Sequence, residues 1–408
     1  MDSSEVKILL ISTGGTIASE NTDSGIAPKE GKIEGIVEKV RKDWNEKYAA
    51  KFGAFPEVTI DGLMKKDSTD MSIGDQNNIA MRIFQNLPDK GGRYDGIIVT
   101  HGTDTLPDIA ARLPFMIRGN PGIPIVITGA MKAPDEKGTD AISNISESIA
   151  LICEYALASK GRGDFFVCMQ GSVLDARWIY ERGKGEKPPF VGPEGILHGL
   201  LGKPSLHLGH VPIMMIEAGV DTSPDMLREA FDRGKAVMLI GTPSYGINKS
   251  LEGIVLEFSQ RIPIFVTTNM QYLDKQLSMP YEVCKRLAET GAIIMGGTKP
   301  FAKANAGATL YEILGQGVEV KREVIDAIRN ACYDNYKIIG RKPRLRANLM
   351  ALYEIGQSAP HIRVADIKSS QRKPNGAADG EMASLLRGEN AGSSEPRIIL
   401  SKSGRIRA

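Results

Sequence analysis

Long apolar runs are absent from this 408-residue chain. No stretch approaches the roughly 20 residues that a membrane-spanning helix needs. The first apolar run, Val6–Ile11, is too short for a signal-peptide core and carries Lys7 inside it, so a soluble cytoplasmic protein is expected. Cysteine is scarce: Cys153, Cys168, Cys284 and Cys332 lie far apart, with no CxxC pair and no Cys/His cluster. A disulfide framework or a zinc site is therefore not expected, and buried free thiols are. Histidine is scarcer than its count of five suggests, because only His207 and His210 are neighbours and no further ligands accompany them. Neither sign of charge dominates, with 51 Lys and Arg against 49 Asp and Glu. A role as a polycation or polyanion partner is excluded, although local basic patches remain open.

What is present is ordinary globular material: 42% hydrophobic and 25% charged residues, enough for a sizeable core. The length predicts two or three domains. Short β-branched runs alternate with amphipathic stretches. Val6–Ile11 leads into Thr13-Gly14-Gly15-Thr16; Gly96–Thr100 leads into His101-Gly102-Thr103-Asp104-Thr105; Pro124–Thr128 leads into Gly129-Ala130; Phe165–Met169 leads into Gln170-Gly171. Continuous apolar runs of this length suit strands covered on both faces. Helices are predicted between them at about Ile73–Leu87, Thr105–Ile117 and Asp140–Ala158. Strand, glycine turn and helix in repetition predict an α/β fold with a larger N-terminal, doubly wound, mostly parallel sheet.

A smaller C-terminal α/β domain follows. Its strands are expected at Pro212–Ile216, Ala236–Ile240, Pro263–Thr267 and Ala292–Met295, with helices near Pro224–Arg233, Lys249–Gln260 and Tyr281–Thr290. Ser223 followed by Pro224 is a helix-start signal. The Gly- and Pro-rich stretch Lys184–Gly202 reads as the connection. The expected domains are 1–205, 206–320, a basic helical extension over 321–365 and a disordered tail over 366–408, where hydrophobic periodicity is lost.

Ligands of open parallel sheets bind beyond the carboxyl ends of the strands, where strand order reverses. Two strand ends here carry hydroxyls beside glycines, which let backbone amides approach a ligand closely. TGGT lacks both the GxGxxG fingerprint and the Lys-Ser/Thr of a P-loop. A capped turn would explain either motif alone; two on successive units of one sheet are harder to dismiss.

Thr13-Gly14-Gly15-Thr16-Ile17-Ala18, Asp67-Ser68-Thr69-Asp70-Met71 and His101-Gly102-Thr103-Asp104-Thr105 resemble the three signatures of the bacterial and archaeal L-asparaginase/glutaminase family. Gly129-Ala130-Met131, Thr139-Asp140 and Asn144 resemble a fourth, and the likeness runs over roughly residues 5 to 315. The resemblance implies an amidohydrolase that acts on L-asparagine or a related small amide, releasing ammonia through a threonine acyl-enzyme. Thr16 would be the nucleophile, with Thr103 and Asp104 as the second catalytic cluster. Ser68, Thr69 and Gly102 would hold substrate, and Asp104 would also pair with its ammonium group. A homodimer or homotetramer is implied, and neither cofactor nor metal is. Independently of the resemblance, a threonine hydroxyl near neutral pH needs a base within hydrogen-bond reach. A developing oxyanion needs preorganised N–H donors, each worth about 3–4 kcal/mol.

Two positions depart from the family. The loop Ser19–Gly31 has Ile26 where the family places a tyrosine. A supporting lysine is replaced by Glu181, next to Arg182, leaving Lys184 or Lys187 to serve if the loop is shifted. Two other readings follow. One is the glutaminase subunit of a tRNA-dependent amidotransferase, against which stands the start of TGGT at residue 13, leaving no room for that subunit's additional N-terminal domain. The other is a binding protein that has lost turnover. The basic C-terminal stretch reads as a solvated helix face, with no nucleic acid or membrane partner expected.

Overall fold

The computed structural model describes residues 3–23, 25–29, 31–158, 161–181, 188–192, 203–234, 236–242, 245–268, 282–296, 298–314, 320–339, 399–400 and 406–407. The chain divides into two compact units, Met1–Leu208 and Gly209–Ala408.

Among the described residues of the first unit, the strands β1 (Lys7–Gly14), β2 (Ser19–Thr22), β3 (Gly25–Pro28), β4 (Glu57–Lys66), β5 (Gly96–Thr100), β6 (Ile117–Arg118), β7 (Ile125–Thr128), β8 (Phe165–Met169), β9 (Ser172–Asp175), β10 (Tyr180–Glu181), β11 (Phe190–Val191) and β12 (Ser205–Leu206) are joined by five α-helices. These are α1 (Lys32–Lys47), α2 (Ala49–Phe52), α3 (Ile73–Gln85), α4 (Leu106–Met116) and α5 (Ala141–Ala158). The main sheet has the order β4-β1-β5-β7-β8-β9. It is parallel up to β8, and β9 returns antiparallel. Strand order therefore reverses at β1 and β5, the strands that carry the two threonine turns.

Alternation along each strand sorts the core into two layers. Leu9, Ile11, Ile97, Val99, Ile125, Ile127, Phe165 and Val167 face α3 and α4, through Ile79, Ile83, Ile109 and Leu113. Ile8, Leu10, Ile98, Val126 and Cys168 face α1 and α5, through Ile36, Val40, Trp44, Ile145, Ile149 and Ile152. This two-sided cover is why the strands read as unbroken apolar runs. Several elements here lie outside the sequence expectations. The strand β4 at the sheet's edge is only half-buried and lacks such a run. The helices α1 and α2, the return strand β9, the two-residue strands β6, β10, β11 and β12 and the hairpin β2–β3 are the others, and the hairpin occupies the segment read as a loop.

The second unit holds a parallel sheet of order β13-β14-β15-β16, formed by β13 (Met214–Glu217), β14 (Val237–Gly241), β15 (Ile264–Thr268) and β16 (Ile293–Ile294). Its helices are α6 (Pro224–Arg233), α7 (Lys249–Phe258), α8 (Glu282–Glu289), α9 (Lys299–Leu314) and α10 (Arg322–Ile339). Ser223 caps α6 by accepting from the Met226 N–H, with Pro224 in the first turn. Most of the stretch read as a disordered tail, and the basic extension beyond residue 339, lie outside the described residues. Cys153, Cys168 and Cys332 are free and buried, and burial pushes each thiol up to about 12. Among the described residues no helix is long and apolar enough to cross a membrane.

Candidate active site

Three turns meet beyond the carboxyl ends of β4, β1 and β5. The first follows β1, where Gly14 and Gly15 take φ values of 104° and 71°, the region that favours glycine. The Gly15 N–H donates to the Lys66 carbonyl at 2.9 Å, fixing this turn to the end of β4. A Cβ on Gly15 would lie 2.4 Å from both the N and Cα of Gly102, so the turns after β1 and β5 touch through backbone. A Cβ on Gly102 would lie 2.5 Å from Ser68 Oγ, which brings in the turn after β4. Two threonines tie the set together: Thr13 Oγ1 donates to the Thr100 carbonyl at 2.7 Å, and Thr105 Oγ1 to the Ser68 carbonyl at 2.9 Å.

Thr16 opens a short 3₁₀ turn, Thr16–Ala18, and is half-buried; Thr103 opens another, Thr103–Thr105, and is buried with Ser68. Among the described residues the hydroxyls of Thr16, Thr103 and Ser68 make no hydrogen bond. Thr69 differs, because its N–H and hydroxyl both donate to Asp67 Oδ1, at 2.8 and 2.7 Å. Those two bonds hold the Asp67 carboxyl below its ordinary range. His101 is fully buried and braces the turn, with Nδ1 2.8 Å from the Gly102 carbonyl and Nε2 3.1 Å from Met71 Sδ. Burial pushes its pKa down, which favours the neutral imidazole.

Asp104 follows Thr103. Its charge is felt at Glu181, whose carboxyl is pushed up first by burial and then by Asp104. Glu181 is reached through the turn Ala176–Trp178, which packs on α4, and through β10, where it pairs with Phe190 of β11. Among the described residues neither carboxylate has an ion-pair partner. Arg182, Lys184 and Lys187 lie outside the described residues. Ile26 sits in β3 opposite Asn21. The hairpin is tied back by Ser19 Oγ to the Gly15 carbonyl at 2.8 Å, and by Glu20 to Lys29 and Lys32.

A fourth strand end also contributes, and no spacing rule pointed to its geometry. A Cβ on Gly129 would lie 2.6 Å from the His101 carbonyl and 3.4 Å from the Thr103 methyl. Among the described residues no group of three His, Cys, Asp or Glu side chains could hold a metal ion. His207 instead lies 3.0 Å from Ser205 Oγ through Nε2, and burial pushes its pKa down to about 4.

The fold and these turns define an α/β protein with paired threonine turns at the strand-order reversal of a parallel sheet. Comparison with known proteins agrees. Residues 7–184 match the family "Asparaginase, N-terminal". The chain is 28% identical over 320 residues to an L-asparaginase of Thermococcus kodakarensis, an alignment covering 71% of this chain and 88% of that one. It is 30% identical over 183 residues to a glutamyl-tRNA(Gln) amidotransferase subunit of Archaeoglobus fulgidus, covering 43% of this chain and only 37% of that one. The solved structure of the thermostable L-asparaginase from Thermococcus kodakarensis superposes with a TM-score of 0.64 at 26% identity, over 82% of this chain and 98% of that one. The first unit thus carries an asparaginase-type domain, matched over residues 7–184, and the chain is similar both to L-asparaginases and to an amidotransferase subunit.

Proposed function

We propose that this protein is an amidohydrolase that hydrolyses the side-chain amide of L-asparagine, or of a closely related small amide, to the acid and ammonia. The observation that carries the reading is the backbone contact of Gly15 with Gly102, which puts Thr16 and Thr103 on adjoining turns with their hydroxyls uncommitted among the described residues. In this mechanism Thr16 Oγ1 bonds to the amide carbon and its proton passes to a base. The base hands that proton to the nitrogen as the C–N bond breaks and ammonia leaves. Water then cleaves the threonine ester, its hydroxyl going to the acid and its proton back to Thr16 Oγ1. Thr103 and Asp104 form the second cluster, which activates hydroxyl or water. Backbone N–H groups of the glycine turns are suited to the oxyanion.

Ser68, Gly102 and Thr69 bound the substrate side. The uncommitted Ser68 hydroxyl is the better donor to a carboxylate, because the Thr69 proton is directed at Asp67. Asp104 takes the substrate's ammonium group. Glu181, beside it, makes this corner doubly acidic where the family has a lysine, so the proton relay is either Glu181 itself or a lysine of the 182–187 segment. Homo-oligomeric assembly and a cytoplasmic location belong to the same proposal.

The test is ammonia release from L-asparagine and L-glutamine by the full chain. Thr16→Ala and Thr103→Ala are each expected to remove it. Hydrolysis that survives both substitutions refutes the assignment. The match to an amidotransferase subunit favours a second reading, a glutaminase that delivers ammonia to a partner. Turnover of glutamine that rises only with an aminoacyl-tRNA-binding partner would select that reading. Tight binding of L-aspartate without any turnover would select a binding protein.

A further inference from the structure

The first turns of α5 carry a polar cluster that the proposed mechanism leaves unused. Asn144 is fully buried, and its amide is saturated. Its Nδ2 donates to the Gly129 carbonyl at 2.8 Å and to Asp140 Oδ2 at 3.1 Å, while its Oδ1 accepts from the Gln170 N–H at 2.8 Å. Asp140 extends the same grip. Its Oδ1 accepts from the N–H groups of Met131 and Lys132, at 2.9 and 3.3 Å, and its Oδ2 also accepts from Gln170 Nε2 at 3.1 Å. Gln170 is one of only two non-glycine residues with positive φ among those described, at 48°. Such a backbone persists only where its surroundings over-determine it, and it collects at functional sites.

The cluster thus fastens two strand ends to one helix: the Gly129–Lys132 segment after β7 and the Gln170–Gly171 turn after β8. The held segment is the one whose Gly129 backbone lies against the His101 carbonyl and the Thr103 methyl. A tip so closely seated cannot shift without moving the Thr103 turn or leaving a gap beside it.

We infer that Asn144 is a positioning residue of the candidate active site, holding the Gly129 tip against the Thr103 turn. The inference rests on the hydrolase reading above. It assigns to Asn144 no contact with substrate, only the placement of the wall that Thr103 leans on.

A purely structural role, holding the strained Gln170 turn, is the competing explanation, and a pair of variants separates the two. Asn144→Ala is expected to lower the melting temperature and to lower kcat/KM at least tenfold, measured well below its melting transition. Adding Gln170→Gly removes the conformational cost of the positive φ. The double variant is expected to recover melting temperature but not kcat/KM. Recovery of both, or a wild-type kcat/KM in Asn144→Ala, overturns the inference. Calorimetric binding of L-aspartate is measured on the same proteins. If the wild type neither turns over amides nor binds L-aspartate, the hydrolase reading falls and takes this one with it. If the wild type binds without turnover, the affinity pattern across the variants decides in place of kcat/KM.

Discussion

At the scale of single residues, the site is built from groups that local stability alone would not choose. Gly15 is the clearest case. Alanine there would need a positive φ and would place a methyl on the Gly102 backbone, neither of which can yield cheaply. Gly15→Ala is expected to cost about 2–4 kcal/mol in urea unfolding and to abolish activity in whatever folds. Glu181 is a second case, since a half-buried carboxylate beside Asp104 opposes folding once ionised. Its folded pKa is raised, so its share of stability is whole below the ordinary glutamate pKa and is lost as pH rises through the raised value. Glu181→Gln should therefore melt with the wild type in acid and above it at neutral pH. A gain in stability accompanied by a loss of turnover would mark Glu181 as kept for function. Equal melting of the two proteins at both pH values would remove the like-charge interaction from this account.

At the scale of elements, caps fix where the site-bearing segments begin. Ser72 and Asp75 form a reciprocal capping box on α3: Ser72 Oγ accepts from the Asp75 N–H, and Asp75 Oδ2 accepts from the Ser72 N–H. Asp75 also accepts from Lys66 Nζ at 2.8 Å, which links the end of β4 to the start of α3 on either side of the Ser68 turn. Lys66 and the Ser72 hydroxyl hold the Asp75 carboxyl down to about 2. A depressed pKa stabilises above the ordinary carboxylate range, and that stability is lost as pH falls from about 4 toward 2. Asp75→Ala is expected to cost about 1 kcal/mol at neutral pH. Thermal melts of the two proteins should converge near pH 2, where the wild type loses the same bonds.

At the scale of the whole molecule, the order β4-β1-β5-β7-β8 places the threonine turns side by side, because β1 and β5 are neighbours in the sheet though some 80 residues apart in sequence. The far side of the same sheet is closed by a buried ion network. Arg177 donates to Asp175 Oδ1 at 2.6 Å and to Asp164 Oδ2 at 3.1 Å, with all three side chains almost fully buried. Removing the cation strands two carboxylates in the interior, so Arg177→Ala is expected to cost about 3–5 kcal/mol. Denaturant unfolding of that variant, followed by a probe in the first unit, checks the value.

How much of this was legible beforehand follows from which forces are local. Apolar runs of four to six residues, glycine turns and the Ser223-Pro224 start are written in neighbouring residues. The doubly wound α/β scheme, four strands of the main sheet, the four strands of the second sheet and the helices α3 to α8 could accordingly be read from the chain. So could the candidates Thr16, Ser68, Thr103 and Asp104, through their motifs. The edge strand β4 and the hairpin β2–β3 could not, since a half-buried strand has no continuous apolar signal and the hairpin carries little periodicity at all. Contact between Gly15 and Gly102, the nearness of Glu181 to Asp104 and the grip of Asn144 on Gly129 and Gln170 depend on which strands lie adjacent and how they register. Register and adjacency are settled by the packing of whole faces, a property of the folded sheet that no short stretch of sequence contains.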